Sequence, residues 1–207
     1  MTKIKICGVY REEDTGYINK YRPDYFGMVI DFERSHRNVS EKTAARLRGM
    51  VEKAVLAVGV FVNDDTDKIE RLLKSGVIDI AQLHGDEDEE QIIRLKEKTG
   101  KPVWKAFKIR NYSDIETAVR SPADLMLLDN GFGTGERFDW NIIGEIDRPF
   151  ALAGGICLEN MEEAVNKIRP YLIDISSGVE SDRKKDPDKI KAAVKLTHSL
   201  GGKERNV

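Results

Sequence analysis

Cys7 is the residue from which a chemistry can be built. It follows Lys3-Ile4-Lys5-Ile6, in which Ile4 and Ile6 share one face of a strand and Lys3, Lys5 and Cys7 the other, and Gly8 lets the chain turn away behind it. A thiol at the carboxyl end of a first strand stands where parallel α/β folds place reactive groups. Cys7 alone reads equally as a small buried hydrophobe or as a reactive thiol. Asp129 closes the apolar run Leu125-Met126-Leu127-Leu128, and a carboxylate at the end of a buried strand must be solvated or paired. Arg37, in the polar stretch 32–39, offers a planar cation suited to a carboxylate, with a surface ion pair as the plainer alternative. His84 shares a strand face with Gln82 and is equally open to a structural role. Gly154-Gly155 and Ser176-Ser177-Gly178 follow two consecutive strands. Glycine N–H groups and serine hydroxyls at such positions make a phosphate seat, or simply tight turns. Gly133 and Gly135 sit in a pliable loop just after Asp129. His36 and His198 read as surface residues, and Cys157 as packing. No His, Cys, Asp and Glu group has metal-ligand spacing, so no metal is expected.

The elements that must position these groups alternate. Strands are expected at Lys3–Val9, Tyr25–Asp31, Ala54–Val62, Asp79–His84, Pro102–Lys108, Asp124–Asp129, Pro149–Ala153 and Tyr171–Ser176. Between them lie helical stretches. Arg11–Lys20 is weakened by Gly16 and Asn19. Ser40 caps a helix running to about Met50. The acidic run from Asp64 to Asp67 opens another that Gly76 can end, and the run from Asp86 to Glu90 begins one ending near Thr99-Gly100. Tyr112–Arg120, a short Asp139–Ile146, Glu159–Arg169 and Asp186–Leu200 complete the series. Strict alternation argues for a parallel sheet. A doubly wound sheet and a closed ring both alternate, but eight units in 207 residues, with no Gly-x-Gly-x-x-Gly turn after the first strand, favour a single (β/α)8 TIM barrel over residues 1–207. Gly201–Val207 reads as a frayed tail. In such a barrel Lys5 and Asp174 point inward from neighbouring strands, and each needs the other, since a lone buried charge is costly.

Composition narrows the classes. The net charge of -2, from 34 basic and 36 acidic residues, argues against a nucleic-acid or membrane-surface partner. No apolar run reaches the ~18 residues of a membrane span, and a strand at the very start leaves no room for a signal peptide. Two cysteines are too few for a disulfide scaffold. A cytoplasmic enzyme or binding protein is expected. Oligomeric state stays open between monomer and homodimer.

Taken in order, six segments form a specific set: Lys5-Ile6-Cys7-Gly8, Ser35-His36-Arg37, Gln82-Leu83-His84-Gly85, Asp129 with Gly133-Thr134-Gly135 and Phe138-Asp139-Trp140, Leu152-Ala153-Gly154-Gly155, and Asp174-Ile175-Ser176-Ser177-Gly178-Val179-Glu180. From residue 3 to the last helix the chain thereby resembles the phosphoribosylanthranilate isomerase family of tryptophan biosynthesis. The resemblance implies a cofactor-free Amadori rearrangement of a phosphosugar substrate, N-(5-phosphoribosyl)anthranilate. It implies Asp129 as general acid on the ring oxygen and Cys7 as general base at C2′. It further implies Arg37 near the anthranilate end, His84, Gly133 and Gly135 on the substrate, and Gly154, Gly155, Ser176, Ser177 and Gly178 on the phosphate. These roles use the less common form of both groups. At pH 7 an ordinary thiolate costs about 2 kcal/mol and an ordinary protonated Asp about 4 kcal/mol. Reversed roles would suit the unperturbed values. A sister phosphosugar isomerase or epimerase would share the phosphate loops, and a non-catalytic phosphosugar-binding protein would keep the grip without turnover.

Overall fold

A computed structural model of the protein describes residues 1–130 and 139–201, so Gly133, Gly135 and nearly all of the expected tail lie outside the described residues. The apolar strand runs form β1 (Lys3–Ile6), β2 (Tyr25–Ile30), β3 (Leu56–Phe61), β4 (Ile80–Leu83), β5 (Val103–Lys108), β6 (Leu125–Asp129), β7 (Phe150–Leu152) and β8 (Leu172–Ile175). Each pairs in parallel with the next, and β8 pairs with β1, which closes the ring. The expected (β/α)8 barrel is therefore the fold observed. Helices α1 (Glu12–Tyr21), α2 (Glu41–Met50), α3 (Thr66–Lys74), α4 (Glu89–Thr99), α5 (Tyr112–Arg120), α6 (Leu158–Glu163) and α7 (Pro187–Gly201) lie between or after the strands. None among the described residues is long and apolar enough to cross a membrane.

Period-two alternation separates two cores. Leu125 and Leu127 join Tyr25, Val58, Ile80 and Trp104 in one buried cluster within the ring, where Tyr25 and Trp104 meet edge to face at 5.1 Å. Met126 and Leu128, on the opposite face of the same strand, belong to the larger cluster shared with the helices. At the base, an aspartate stands immediately before each of β2, β4 and β6. Asp24, Asp79 and Asp124 accept the N–H groups of Ile4 (3.0 Å), Ala57 (2.8 Å) and Val103 (2.8 Å) in the preceding strands. This repeated tie pins strand pairs at the end remote from Cys7, leaving the opposite rim to carry functional groups.

Three local expectations are corrected. Helix α1 is well formed despite Gly16 and Asn19: Asp14 accepts from the N–H groups of Tyr10 and Arg11 at 3.2 and 3.0 Å, stabilising its first turn. Asn19 is a tie rather than a breaker, donating to the Met50 carbonyl and accepting from the Glu52 N–H. Residues 139–146 make only the 3-10 turn Trp140–Ile142. Asp139 caps it through the Asn141 N–H at 2.9 Å, but Ile142-Ile143-Gly144 are poor helix formers and the backbone turns extended at Ile143. The stretch expected as one helix over Glu159–Arg169 is α6 followed by a π turn, Ala164–Ile168, which Arg169 ends in the left-handed region.

Candidate active site

The rim opposite the aspartate ties holds a cavity of about 460 Å³ lined by Cys7, Arg37, His84, Asp129, Gly154, Gly155, Ser176 and Ser177, among others. Volumes of this order suit small-molecule ligands. Eight of the sequence-derived candidates thus meet in one place. Gly178 does not line it. Instead Gly178 forms a parallel bridge with Cys157, so that it knits the loop after β8 to the loop after β7. A Cβ at Gly178 would sit 2.1 Å from the Ile156 carbonyl oxygen, so no other residue fits that approach.

Beneath Cys7 lies a polar layer. Lys5 is fully buried, and its ammonium donates to Asp174 Oδ2 at 2.8 Å, to Gln82 Oε1 at 2.7 Å and to Cys7 Sγ at 3.2 Å. The Lys5–Asp174 pair expected from strand adjacency is present, set by the β1–β8 register that places the two residues side by side. Gln82 was not anticipated as a third partner. Because an ammonium only donates, the amide oxygen of Gln82 must face Lys5, which turns its Nε2 towards His84 Nδ1 at 3.1 Å. His84 Nδ1 then accepts, and the ring N–H sits on Nε2, 3.7 Å from Asp129 Oδ2. Hydrogen bonds thus link the thiol through Lys5 and Gln82 to His84, and the last 3.7 Å to the Asp129 carboxylate is longer than a hydrogen bond. Asp174 lines the cavity as well, and its Oδ1 is a buried acceptor with no hydrogen-bond partner among the described residues.

Burial pushes the Cys7 thiol above its ordinary value, and the Lys5 ammonium opposes the shift. Ser176 donates its hydroxyl to the Cys7 carbonyl at 3.1 Å, tying the end of β8 to the end of β1.

Arg37 is held by Glu180, which accepts from Nε and one Nη at 2.7 Å each. This two-pronged geometry fixes the guanidinium plane. Glu180 also accepts from the fully buried Lys185 ammonium at 2.7 Å. Burial pushes the Glu180 carboxyl up, but the Arg37 hydrogen bonds and the Lys185 charge outweigh it and hold it at about 2. The folded state thus binds this proton more weakly than the unfolded chain, whose carboxyl titrates near 4.5. The stabilisation is complete above that value and is lost as pH falls towards 2. In urea titrations, wild type is expected to exceed Glu180→Gln in stability at pH 6, with the gap closing between pH 4.5 and 2. A gap independent of pH would refute the ion-pair account. Glu180 and Lys185 carried no predicted role. Both lie on the hairpin Glu180–Ser181/Lys184–Lys185.

The residues outside the main site fall as follows. His36 is partly exposed beside Tyr10 and Glu180, and His198 lies at the base near Asp24. Cys157 occupies the N-cap position of α6. Among the described residues no group of His, Cys, Asp and Glu could hold a metal ion.

Comparison with known proteins converges on one family. A family model described as N-(5'phosphoribosyl)anthranilate (PRA) isomerase matches residues 4–196. An N-(5'-phosphoribosyl)anthranilate isomerase of Endomicrobium trichonymphae is 45% identical over 205 residues, covering 97% of this chain and 100% of the relative. The crystal structure of phosphoribosyl anthranilate isomerase from Thermotoga maritima superposes with a TM-score of 0.84 at 33% identity, covering 96% of this chain and 100% of that one. A further solved phosphoribosyl anthranilate isomerase, similar with a TM-score of 0.80 at 31% identity and the same coverage, is in complex with reduced 1-(o-carboxyphenylamino)-1-deoxyribulose 5-phosphate.

Proposed function

The chain belongs to the N-(5'-phosphoribosyl)anthranilate isomerase family, and from that premise we propose how its residues carry the reaction. The enzyme isomerises N-(5'-phosphoribosyl)anthranilate in tryptophan biosynthesis, giving 1-(2-carboxyphenylamino)-1-deoxyribulose 5-phosphate. The observation that carries the assignment of roles is the convergence of a thiol, a carboxylate and two glycine/serine loops on one cavity. Asp129, protonated, gives its proton to the ring oxygen. The bond from C1′ to that oxygen breaks while the nitrogen lone pair forms C1′=N. Cys7, as thiolate, removes the proton at C2′, and the released electron pair forms C1′=C2′ and neutralises the nitrogen. The resulting enolamine takes a proton at C1′ and gives up the one on its C2′ hydroxyl, which yields the ketone. Each turnover therefore leaves Asp129 one proton short and Cys7 one proton in excess, and the proton must return before the next.

The remaining lining sorts by chemistry. Val29, Phe32, Val60 and Val62 give the cavity an apolar wall on the side of Arg37. That wall suits the anthranilate ring, with the Arg37 charge, aimed by Glu180, near its carboxylate. His84 faces the substrate beside Asp129. Gly154, Gly155, Ser176 and Ser177 seat the phosphate, with Gly178 holding the two loops together rather than touching it. Residence in the cytoplasm accords with this biosynthetic role.

The phosphate seat has a direct test. Ser177 is exposed and lines the cavity, so Ser177→Asp should fold and place a negative charge where the phosphate binds. Following the loss of substrate fluorescence, KM is expected to rise tenfold or more, a loss of at least about 1.4 kcal/mol in binding, with kcat little changed. An unaltered KM would move the phosphate elsewhere.

A further inference from the structure

We propose that Lys5 is a positioning residue for the reaction: its buried ammonium is the counter-ion of the Cys7 thiolate, and Gln82 and Asp174 hold it beneath the sulfur. The inference rests on Cys7 acting as base, and goes beyond it by assigning what makes that base available.

A closing pair between neighbouring strands needs only Lys5 and Asp174, and such buried pairs are often replaceable by apolar residues without loss. The observed arrangement does more than close the barrel. All three ammonium N–H groups are spent, on a carboxylate, an amide oxygen and the thiol sulfur. Two of these acceptors are rigid groups on β8 and β4, so the third hydrogen is directed at Cys7 by geometry. A neutral thiol is a weak acceptor, and a directed ammonium 3.2 Å away is far better matched to a thiolate. Strand β2 is cut away to allow this. A Cβ at Gly27 would lie 2.8 Å from Lys5 Cε and 2.9 Å from Cys7 Sγ, so any side chain there would push the ammonium and the sulfur out of place.

Other charges reach the thiol from every side. Asp174 on β8 disfavours the thiolate, and Lys185 on the hairpin after β8 favours it. Arg37 interacts with Cys7 from the loop after β2, and His84 and Asp129 share its cavity from β4 and β6. Of these, Lys5 is the cation in hydrogen-bond contact with the sulfur. The Lys5 charge is secure because Asp174 and Cys7 outweigh the burial that disfavours it.

The test reads the thiol directly. In a Cys157→Ser background, so that Cys7 is the single cysteine, the rate of alkylation by iodoacetamide is followed by mass spectrometry from pH 6 to 11. The comparison is with Lys5→Met/Asp174→Asn, which removes both charges together and leaves no buried ion unpaired. The midpoint is expected to rise by about one pH unit or more, a tenfold lower reactivity below it, and the alkaline limb of kcat/KM should move with it. A folded double variant whose midpoint is equal to or below the parent's overturns the proposal. If that double variant does not fold, Lys5→Gln/Asp174→Asn, which removes the same two charges but keeps hydrogen-bonding side chains at both positions, decides in its place: a rise in midpoint supports the proposal and an equal or lower one overturns it. Failure of the underlying reading is separate: it would appear as wild-type kcat in Cys7→Ser, whatever the alkylation profile.

Discussion

Replacing Cys7 with serine is expected to lower kcat by about 10²–10⁴-fold while leaving KM within a few-fold of wild type. The substitution keeps the size and the hydrogen-bonding capacity of the side chain, so the Lys5 contact and the tie between the ends of β1 and β8 survive. What it removes is an acidic proton. Burial pushes the Cys7 thiol upward and the Lys5 ammonium opposes the shift, and an ordinary thiol, releasing its proton near ~8.5, has an ionised fraction at neutral pH. An alcohol has essentially none. The C2′ proton then has no base within reach, although ring opening by Asp129 is untouched. The result should be an enzyme that binds, and opens the ring, without completing the rearrangement. Substrate fluorescence, kcat, KM and a circular dichroism spectrum together make the measurement. A kcat within tenfold of wild type in a folded Cys7→Ser would show that the base is another group.

How much of this site was legible in the sequence depended on whether each partner left a signal that the fold could not hide. The Lys5–Asp174 contact could be read because both residues fall on the inward parity of strands that must be neighbours once the ring closes, and a charge there demands an opposite charge. Gln82 lies on the same inward parity. A buried neutral amide needs hydrogen bonds but accepts them from any donor and gives them to any acceptor, so nothing in the sequence singled out Lys5 as its partner. Cys7, Asp129 and the two small-residue loops could be picked out for a related reason: each sits where a strand stops, and reactive or flexible groups at that boundary stand out.

The Arg37 clasp was invisible for a different reason. Glu180 and Lys185 come together on a hairpin whose turn residues, Asp182 and Arg183, adopt φ of 50° and 62°. Tight hairpins of that kind are normally announced by Asn-Gly or Asp-Gly, and Asp182-Arg183 carries no such mark. Without the hairpin, Lys185 reads as one more lysine in a charged stretch. Gly178 shows the converse failure. Its neighbours Ser176 and Ser177 line the cavity, and adjacency in sequence suggested that it would as well. Its backbone is instead committed to the loop after β7, a contact across about twenty residues that no local pattern reports. In the segment expected as a short helix over Asp139–Ile146, Ile142-Ile143-Gly144 oppose a helix, and only the turn Trp140–Ile142 forms.

Asp129→Asn is expected to change the shape of the pH profile as well as its height. With Asp129 required protonated and Cys7 required ionised, the active form is a minority whose population is constant between the two titrations and falls outside them. The wild-type profile should therefore be bell-shaped. Its alkaline limb reports the thiol, above the ordinary value because burial raises it. Asparagine cannot give up a proton to the ring oxygen, so at neutral pH the rate should fall by about 10²–10⁴-fold. The residual reaction then depends on thiolate alone. It should climb with pH and level off above the Cys7 titration, so that the alkaline fall of the wild type is replaced by a rise. Adding Cys7→Ser to this variant should remove that rise. Were the roles reversed, with Asp129 as base and the thiol as acid, Asp129→Asn would have no base left and its residual rate would decline as the thiol ionised. The direction of the alkaline limb in this one variant therefore separates the two assignments, which the positions of the limbs in wild type do not.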